Sequence, residues 1–283
     1  MSTNNILYIY DNIDWAIYNV GILWINDNAD FISFKDFNEK KVEPYNVIWY
    51  GYSTLYKKKP IKKINKKIVI SVHDPIEILR GDVDFLSSEI SIVTTTDECK
   101  ELLKKKNINA EIIKTNSIIP IRNATELTFE KLKLLTINSG EKRKNNNKIF
   151  ELFAKCEQLN ILCFSKIGHD SLHISDYVKL IDSYNIYVCM SSFEGGPIPA
   201  MDAMARGCVI LSTCVGQMPE LIQNGENGFI LNSSDEFYKK IMWINDNKEW
   251  LHQARIKSIN ILKEKRNIKE IREKVKCFIR SIQ

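Results

Sequence analysis

Two carboxylates eight residues apart frame the most patterned stretch of the chain, SSFEGGPIPAMDAMARGCVILST, residues 191–213. Glu194 follows IYVCMSS, an apolar run that reads as a buried strand. Gly195 and Gly196 come next, and a backbone without Cβ atoms lets a ligand approach closely. Pro197 and Pro199 suit the first turn of a helix, where an N–H is not needed. The helix continues as AMDAMARG, and Gly207 closes it. Its first turn offers free N–H groups and the positive end of the helix dipole, chemistry that suits a diphosphate. Asp202, about two turns in, can take two hydrogen bonds from vicinal hydroxyls such as those of a ribose. Glu194 can take the hydroxyls of a second group. The plain alternative is a loop acid and a solvated helix residue.

Elements must place these groups, and the chain alternates short apolar runs with helix-like segments. NILYIY, DFISF, NVIWYG, KIVISVH, SIVTTT and AEIIK read as strands of a first half. Ile17, Val20 and Trp24 fall at helical spacing between the first two. Asp97 is expected to cap the helix DECKELLKKKN. After IIPIRNATELTFE the pattern restarts with KLLTIN, ILCFSKI, IYVCMSS, CVILST and GFIL. A short helix, MPELIQNG, is expected to end at Gly225. From Asp235 the chain reads as helical to its end. Buried β-branched strands alternating with helices predict parallel sheets covered on both faces. The expected fold class is therefore α/β, with two Rossmann-like domains facing each other across a cleft. Residues 1–125 form a short N-terminal domain, and residues 126–283 a nucleotide-binding domain whose last helix returns to the first. Ligands in such sheets bind beyond the carboxyl ends of the strands.

The ordered stretch EGGPIPAMDAMARGCVILSTCVGQMPELIQNGENGFIL resembles the nucleotide-sugar-binding segment of the retaining glycosyltransferases of family 4, which have the glycosyltransferase-B fold. The match runs through Glu194, Asp202, Ala203, Met204, Ala205, Gly207, Gly216, Pro219, Glu220, Gly225, Asn227 and Gly228. The resemblance implies that Glu194 contacts the donor sugar and Asp202 the ribose. It implies that Gly195, Gly196, Pro197 and Ile198 line the sugar–diphosphate site, with Ile198 as the amide donor. Asp202 stands where the family has Glu, and Gln217 where it has a second glycine. The family also places an arginine and a lysine after the first strand of this half. Lys144 aligns with the lysine. The arginine position falls near Ser139, so Arg143 is the candidate substitute. A diphosphate leaving group needs charge-assisted donors, and this loop supplies them. In KIVISVHDP, His73 and Asp74 end a strand that resembles the one carrying a histidine into the family's cleft. YDNIDWA replaces the family's glycine-rich first loop, so Asp11, Asp14 and Trp15 are placed to read an acceptor. His169 and His173 read as structural.

The resemblance implies a metal-independent retaining hexosyltransferase with no cofactor and a nucleotide-diphosphate sugar as donor. The acceptor would be a hydroxyl of a glycan or lipid-linked molecule, in surface polysaccharide or glycoconjugate synthesis. The alternatives are a non-catalytic binding or partner subunit and an enzyme, such as an epimerase, that uses the same donor otherwise. Composition narrows the classes. The net charge of +5 is mild, and no nucleic-acid module interleaves basic and aromatic residues. Seven cysteines without a close Cys-x-x-Cys pair argue against a disulfide framework or zinc site and suit a reducing cytosol. No apolar run approaches a membrane span. The start of the sequence lacks the layout of a signal peptide. A cytoplasmic location is expected. Lys57, Lys58, Lys59, Lys62, Lys63, Lys66 and Lys67 concentrate in one connection. They read as a solvated face or as a peripheral contact with anionic lipid.

Overall fold

The computed structural model describes residues 6–11, 16–25, 29–61, 65–127, 131–167 and 172–283. Asp14, Trp15, Lys62, Lys63 and His169 lie outside them. The chain divides into two compact units, Met1–Ile118 with Arg266–Gln283, and Ile119–Lys265. The division falls at 118/119 rather than 125/126. The segment after it belongs to the second unit, because the Arg122 N–H donates to the Ala205 carbonyl at 2.8 Å.

The first unit is built on β1 (Ile6–Tyr10), β2 (Ala29–Ser33), β3 (Val47–Tyr50), β4 (Lys67–Val72), β5 (Ser91–Thr94) and β6 (Ala110–Ile112). They form one sheet in the order β2-β1-β3-β4-β5-β6, and every pairing is parallel. β3 is buried along its whole length, as expected for a strand with helices on both faces. Its helices are α1 (Ala16–Ile25), α2 (Ser53–Lys58), α3 (Pro75–Leu79), α4 (Asp97–Lys105) and, from the far end of the chain, α11 (Ile268–Ile282). Thr96, not Asp97, caps α4: its hydroxyl accepts the Cys99 N–H at 3.1 Å, and Asp97 sits in the first turn. Both residue types cap helices well, so the sequence left the choice between neighbours open.

The second unit carries β7 (Lys133–Asn138), β8 (Leu162–Ile167), β9 (Ile186–Cys189), β10 (Val209–Ser212) and β11 (Gly228–Ile230) in the order β11-β10-β9-β7-β8. All pairs are parallel. Its helices are α5 (Asn146–Glu157), α6 (Ile174–Asp182), α7 (Ile198–Ala205), α8 (Met218–Leu221), α9 (Ser234–Asp246) and α10 (Lys248–Lys265). α8 stops at Leu221, because Ile222 is already extended. Gly225, expected to end it, sits in the following turn with φ 83°. α5 buries Ile149, Leu152, Phe153 and Cys156, one stripe at helical spacing. They pack with Leu134, Val188, Leu211 and Ile241 into the core of this unit. α7 is buried from Ala200 to Ala205. Its alanines let it lie close to its neighbours, and its one acid, Asp202, must then find a partner inside.

The chain leaves β7 for β8 on one side and reaches β9 on the other. The gap between β7 and β9 is thus the switch point of this sheet, where ligands bind in open α/β folds. Among the described residues no helix is long and apolar enough to cross a membrane. All seven cysteines are free thiols. Cys99, Cys156, Cys189 and Cys208 are buried, whereas Cys214 and Cys277 are exposed rather than core residues.

Candidate functional site

The carboxyl ends of β7 and β9 each continue into one short segment, and the two segments meet. After β7, Lys142–Lys144 form a 3-10 turn that ends on Asn145 in the left-handed region at φ 52°. Asparagine tolerates that region better than most residues. The Asn145 amide donates to the Met190 carbonyl at 2.8 Å and to Ser192 Oγ at 2.9 Å. The Ser192 N–H donates to the Arg143 carbonyl at 2.8 Å. These bonds fasten the basic turn to the end of β9.

Glu194 is the focus of the result. It is 5 % exposed. Lys144 Nζ donates to its Oε1, and Arg143 Nη1 to its Oε2 at 3.0 Å. Arg143 also donates to the Phe193 carbonyl at 2.9 Å and pairs through Nε with Glu141 at 2.6 Å. Burial alone would push the Glu194 carboxyl up. The Lys144 and Arg143 charges outweigh it and hold the group below the usual carboxylate range. The cluster is therefore a buried carboxylate with two cations on it. An anion entering here would meet those cations at the end of the sheet.

Close packing behind the site accounts for the glycine at 216. Gly216 has φ 53°, and a Cβ there would lie 2.6 Å from the Gly195 carbonyl oxygen and 3.0 Å from that of Glu194. The turn after β10 thus backs directly onto the Glu194–Gly195 peptide. Pro197 precedes α7, and Ile198 is its first residue. Pro199 lacks an N–H, so the Ile198 amide is the foremost donor of that helix end. Ile198 is 5 % exposed.

Asp202 differs from the expectation of an acid facing a pocket. It has no exposed surface, and its Oδ2 accepts the Tyr177 hydroxyl at 2.8 Å. Burial raises the Tyr177 phenol well above its ordinary value, and the Asp202 charge adds to that. Tyr177 and Asn145 were both missed by sequence reasoning. Tyr177 sits one turn before buried Ile181 on α6, where an aromatic residue is ordinary core and nothing in the pattern marks it. Asn145 stood in a run of asparagines with nothing to single it out.

His73 belongs to the first unit. Its Nε2 donates to the Gly51 carbonyl at 2.9 Å, which leaves Nδ1 as the acceptor of a neutral ring. The ring lies 5.7 Å from that of Trp24. Burial lowers its pKa to about 4 against the Gly51 bond, which acts the other way. Asp74 caps α3 in a capping box with Glu77. Asp11 accepts the Tyr52 hydroxyl at 3.3 Å. His173 caps α6, its Nδ1 lying 2.8 Å from Ser175 Oγ. The lysine connection is partly spent on its own chain. Lys57 pairs with Asp82 at 3.5 Å, Lys59 donates to the Phe34 carbonyl at 3.1 Å, and Lys66 donates to the Glu43 carbonyl at 2.8 Å.

Two parallel sheets of this order, with a site at the switch point of the second, define an α/β protein of the glycosyltransferase-B fold. Solved structures bear this out. HepE of Anabaena in complex with UDP-glucose matches with a TM-score of 0.76 over 98% of this chain and 99% of that one, at 10% identity. A glycosyltransferase from Rickettsia africae gives 0.72 over 100% and 99%, at 12% identity. A sucrose-phosphate synthase from Thermosynechococcus elongatus gives 0.71 over 99% of each chain, at 14% identity. In sequence, residues 169–261 match the family model described as glycosyl transferases group 1. That segment carries Glu194 and Asp202. The search among curated proteins found no match.

Proposed function

We propose that the chain is a retaining glycosyltransferase that moves a hexose from a nucleotide-diphosphate sugar to a hydroxyl of a glycan or lipid-linked acceptor. The observation that carries this reading is the convergence of Lys144 and Arg143 on Glu194 at the carboxyl end of β9. Two half-buried cations, paired on one buried acid that lies close in sequence to a helix N-terminus, are chemistry that suits a leaving diphosphate. UDP-glucose in the Anabaena structure makes a uridine donor the first to try.

In this reading the bond from the sugar C1 to the diphosphate oxygen breaks, and a bond from C1 to the acceptor oxygen forms on the same face. The acceptor proton passes to the departing phosphate oxygen, so no enzymic nucleophile is needed. Lys144, Arg143 and the Ile198 amide take up the charge that develops on the diphosphate, in place of a metal ion. Glu194 holds sugar hydroxyls. Gly195, Gly196 and Pro197 keep the wall of the site free of bulky side chains. His73, neutral and fixed by Gly51, serves as an acceptor for a hydroxyl. The ribose is assigned to Asp202, reached through or in place of the Tyr177 hydroxyl. Synthesis of surface glycans at the cytoplasmic membrane face, with the Lys57–Lys67 connection touching anionic lipid, completes the reading.

The test is a panel of nucleotide-sugars offered to the purified chain, with binding and slow sugar release both measured. Selective binding of one donor, lost in Lys144→Ala, together with release lost in Glu194→Gln, is the expected result. A folded chain that binds none of the panel overturns the proposal. Selective binding with no release, even when glycan and lipid-linked acceptors are supplied, would instead establish a binding subunit.

A further inference from the structure

Among the described residues the second unit has an edge strand that is paired on one side only. β8 pairs with β7 and, among the described residues, with nothing on its other side. Natural edge strands are usually short, charged or covered. β8 is six residues long, and Leu162 and Phe164, on one face, are 53% and 39% exposed. Of the eight strongly exposed large apolar side chains among the described residues, six fall between Phe150 and Ile174. Leu162 and Phe164 lie on β8 itself, and Leu172 lines the groove beside it with Phe164, so these three form a patch and not the scatter that every surface shows. Beside it runs a groove of about 600 Å³ between β8 and α6, lined by Phe164, Leu172 and Leu180 with Lys166, Asp176 and Lys179.

We propose that this edge pairs with the same edge of a second copy of the chain, β8 against β8 about a twofold axis. Two five-stranded sheets would then become one continuous sheet of ten. Three features favour this occupant. An open strand edge needs partners for its N–H and C=O groups, which lipid hydrocarbon cannot give, so the apolar patch suits protein rather than membrane. A twofold through Phe164 makes the strand antiparallel to its copy and sets Phe164 against Phe164. It places Leu162 of each copy opposite Lys166 of the other. No like charges then face each other, and each lysine stem covers a leucine. Finally, the groove carries both signs of charge. That favours a self-complementary surface over one that reads a wholly acidic or wholly basic peptide.

Sedimentation equilibrium on the full chain tests this at about 10 μM, where a Kd of about 1 μM leaves most of the protein paired. The expected result is a species of twice 32.9 kDa for the natural chain. Phe164→Lys and Leu162→Lys should each return it to a monomer with unchanged circular dichroism, melting lower by no more than the lost association and side-chain contacts account for. Leu79→Lys, on an equally exposed leucine of the first unit, should leave the dimer intact. A natural chain that is monomeric at this concentration overturns the proposal. So does a dimer that survives both β8 substitutions. A monomer that floats with vesicles of phosphatidylglycerol, and ceases to in Phe164→Lys, gives the patch to lipid and overturns it too. None of these outcomes depends on the donor reading.

Discussion

Glu194 stays ionised inside the protein because Lys144 and Arg143 meet it there. Breaking such a group unevenly is costly. Lys144→Met leaves a buried carboxylate with one cation, and loss of one partner of a buried pair costs about 3–5 kcal/mol. Melting should show that loss. Glu194→Gln does the reverse: it takes the buried acid from both cations, leaving Arg143 its pair with Glu141. Inorganic pyrophosphate should then bind several-fold more tightly than to the natural chain, by calorimetry, while sugar release falls. Weaker pyrophosphate binding in Glu194→Gln would mean that the cations do not face the anion. The pKa of Glu194 is depressed in the folded state, so its contribution is present above the ordinary carboxylate range. It is lost as pH falls through the lower, folded value.

His73 and Glu77 give a second pH prediction within the first unit. The His73 N–H donates to Glu77 Oε1 at 3.2 Å. Burial lifts Glu77 to about 7, against bonds from Ser53, Asp74 and His73. A raised carboxyl contributes stability below its ordinary 4.5 that is lost as pH rises towards 7. A lowered imidazole does the opposite, and stability is gained as pH rises from about 4 to 6.5. The two slopes oppose each other in the natural chain. Urea titrations across this range should find His73→Gln losing stability with rising pH and Glu77→Gln gaining it. At this scale the sequence pointed to Glu194, Arg143 and Lys144 as residues but not to their contact, which joins the ends of two strands. The Tyr177–Asp202 bond was hidden for the same reason.

The elements that hold the site are two turns, and each has a position that will not accept an ordinary side chain. Asn145 combines a left-handed backbone with bonds to Met190 and Ser192. Asn145→Gly keeps the backbone and loses two hydrogen bonds, at about 1 kcal/mol each. Asn145→Ala adds the steric penalty of that backbone, roughly 1–2 kcal/mol more. Thermal unfolding should therefore rank natural chain, then Gly, then Ala. Sugar release should fall in both variants, because the turn carries Arg143 and Lys144. Gly216→Ala brings a Cβ against the Glu194 and Gly195 carbonyls. It should disturb donor binding from the opposite side. If melting ranks Asn145→Ala above Asn145→Gly, the left-handed turn is not what holds the basic pair.

Strands such as β3, β9 and β10 were legible because buried parallel strands read as unbroken apolar runs. α2 and α3, of six and five residues, are too short for a helical period to show and were missed. The approach of the turn after β10 to Gly195 was equally invisible. It depends on how two loops pack, and no local pattern encodes that. The glycine at 216 was found only through a resemblance.

At the scale of the whole molecule, the chain order and the packing order differ. α11 follows the second unit in sequence but belongs to the first. It buries Ile271, Val275 and Ile279. The Phe278 ring lies 6.0 Å from that of Trp49, and Arg272 Nε donates to the Leu23 carbonyl at 3.0 Å. α1 and α11 thus cover the first sheet together. The alternation of strands and helices foretold two sheets. The return of this last helix to the first half was expected from the overall architecture; its local pattern shows only an amphipathic stripe, and tertiary contacts made by that stripe place it. Removing residues 266–283 strips three buried aliphatic side chains from the first unit and none from the second. At about 1.5–3 kcal/mol for each, that is roughly 5–9 kcal/mol, as much as a typical domain has in total. The shortened chain should show a first unit that is unfolded or melts far earlier, by the loss of near-ultraviolet signal from Trp24 and Trp49. Amide exchange should still find β7, β9 and β10 protected, and pyrophosphate should still bind at Lys144 and Arg143. Simultaneous loss of protection in both sheets would show that the second unit does not hold its site alone.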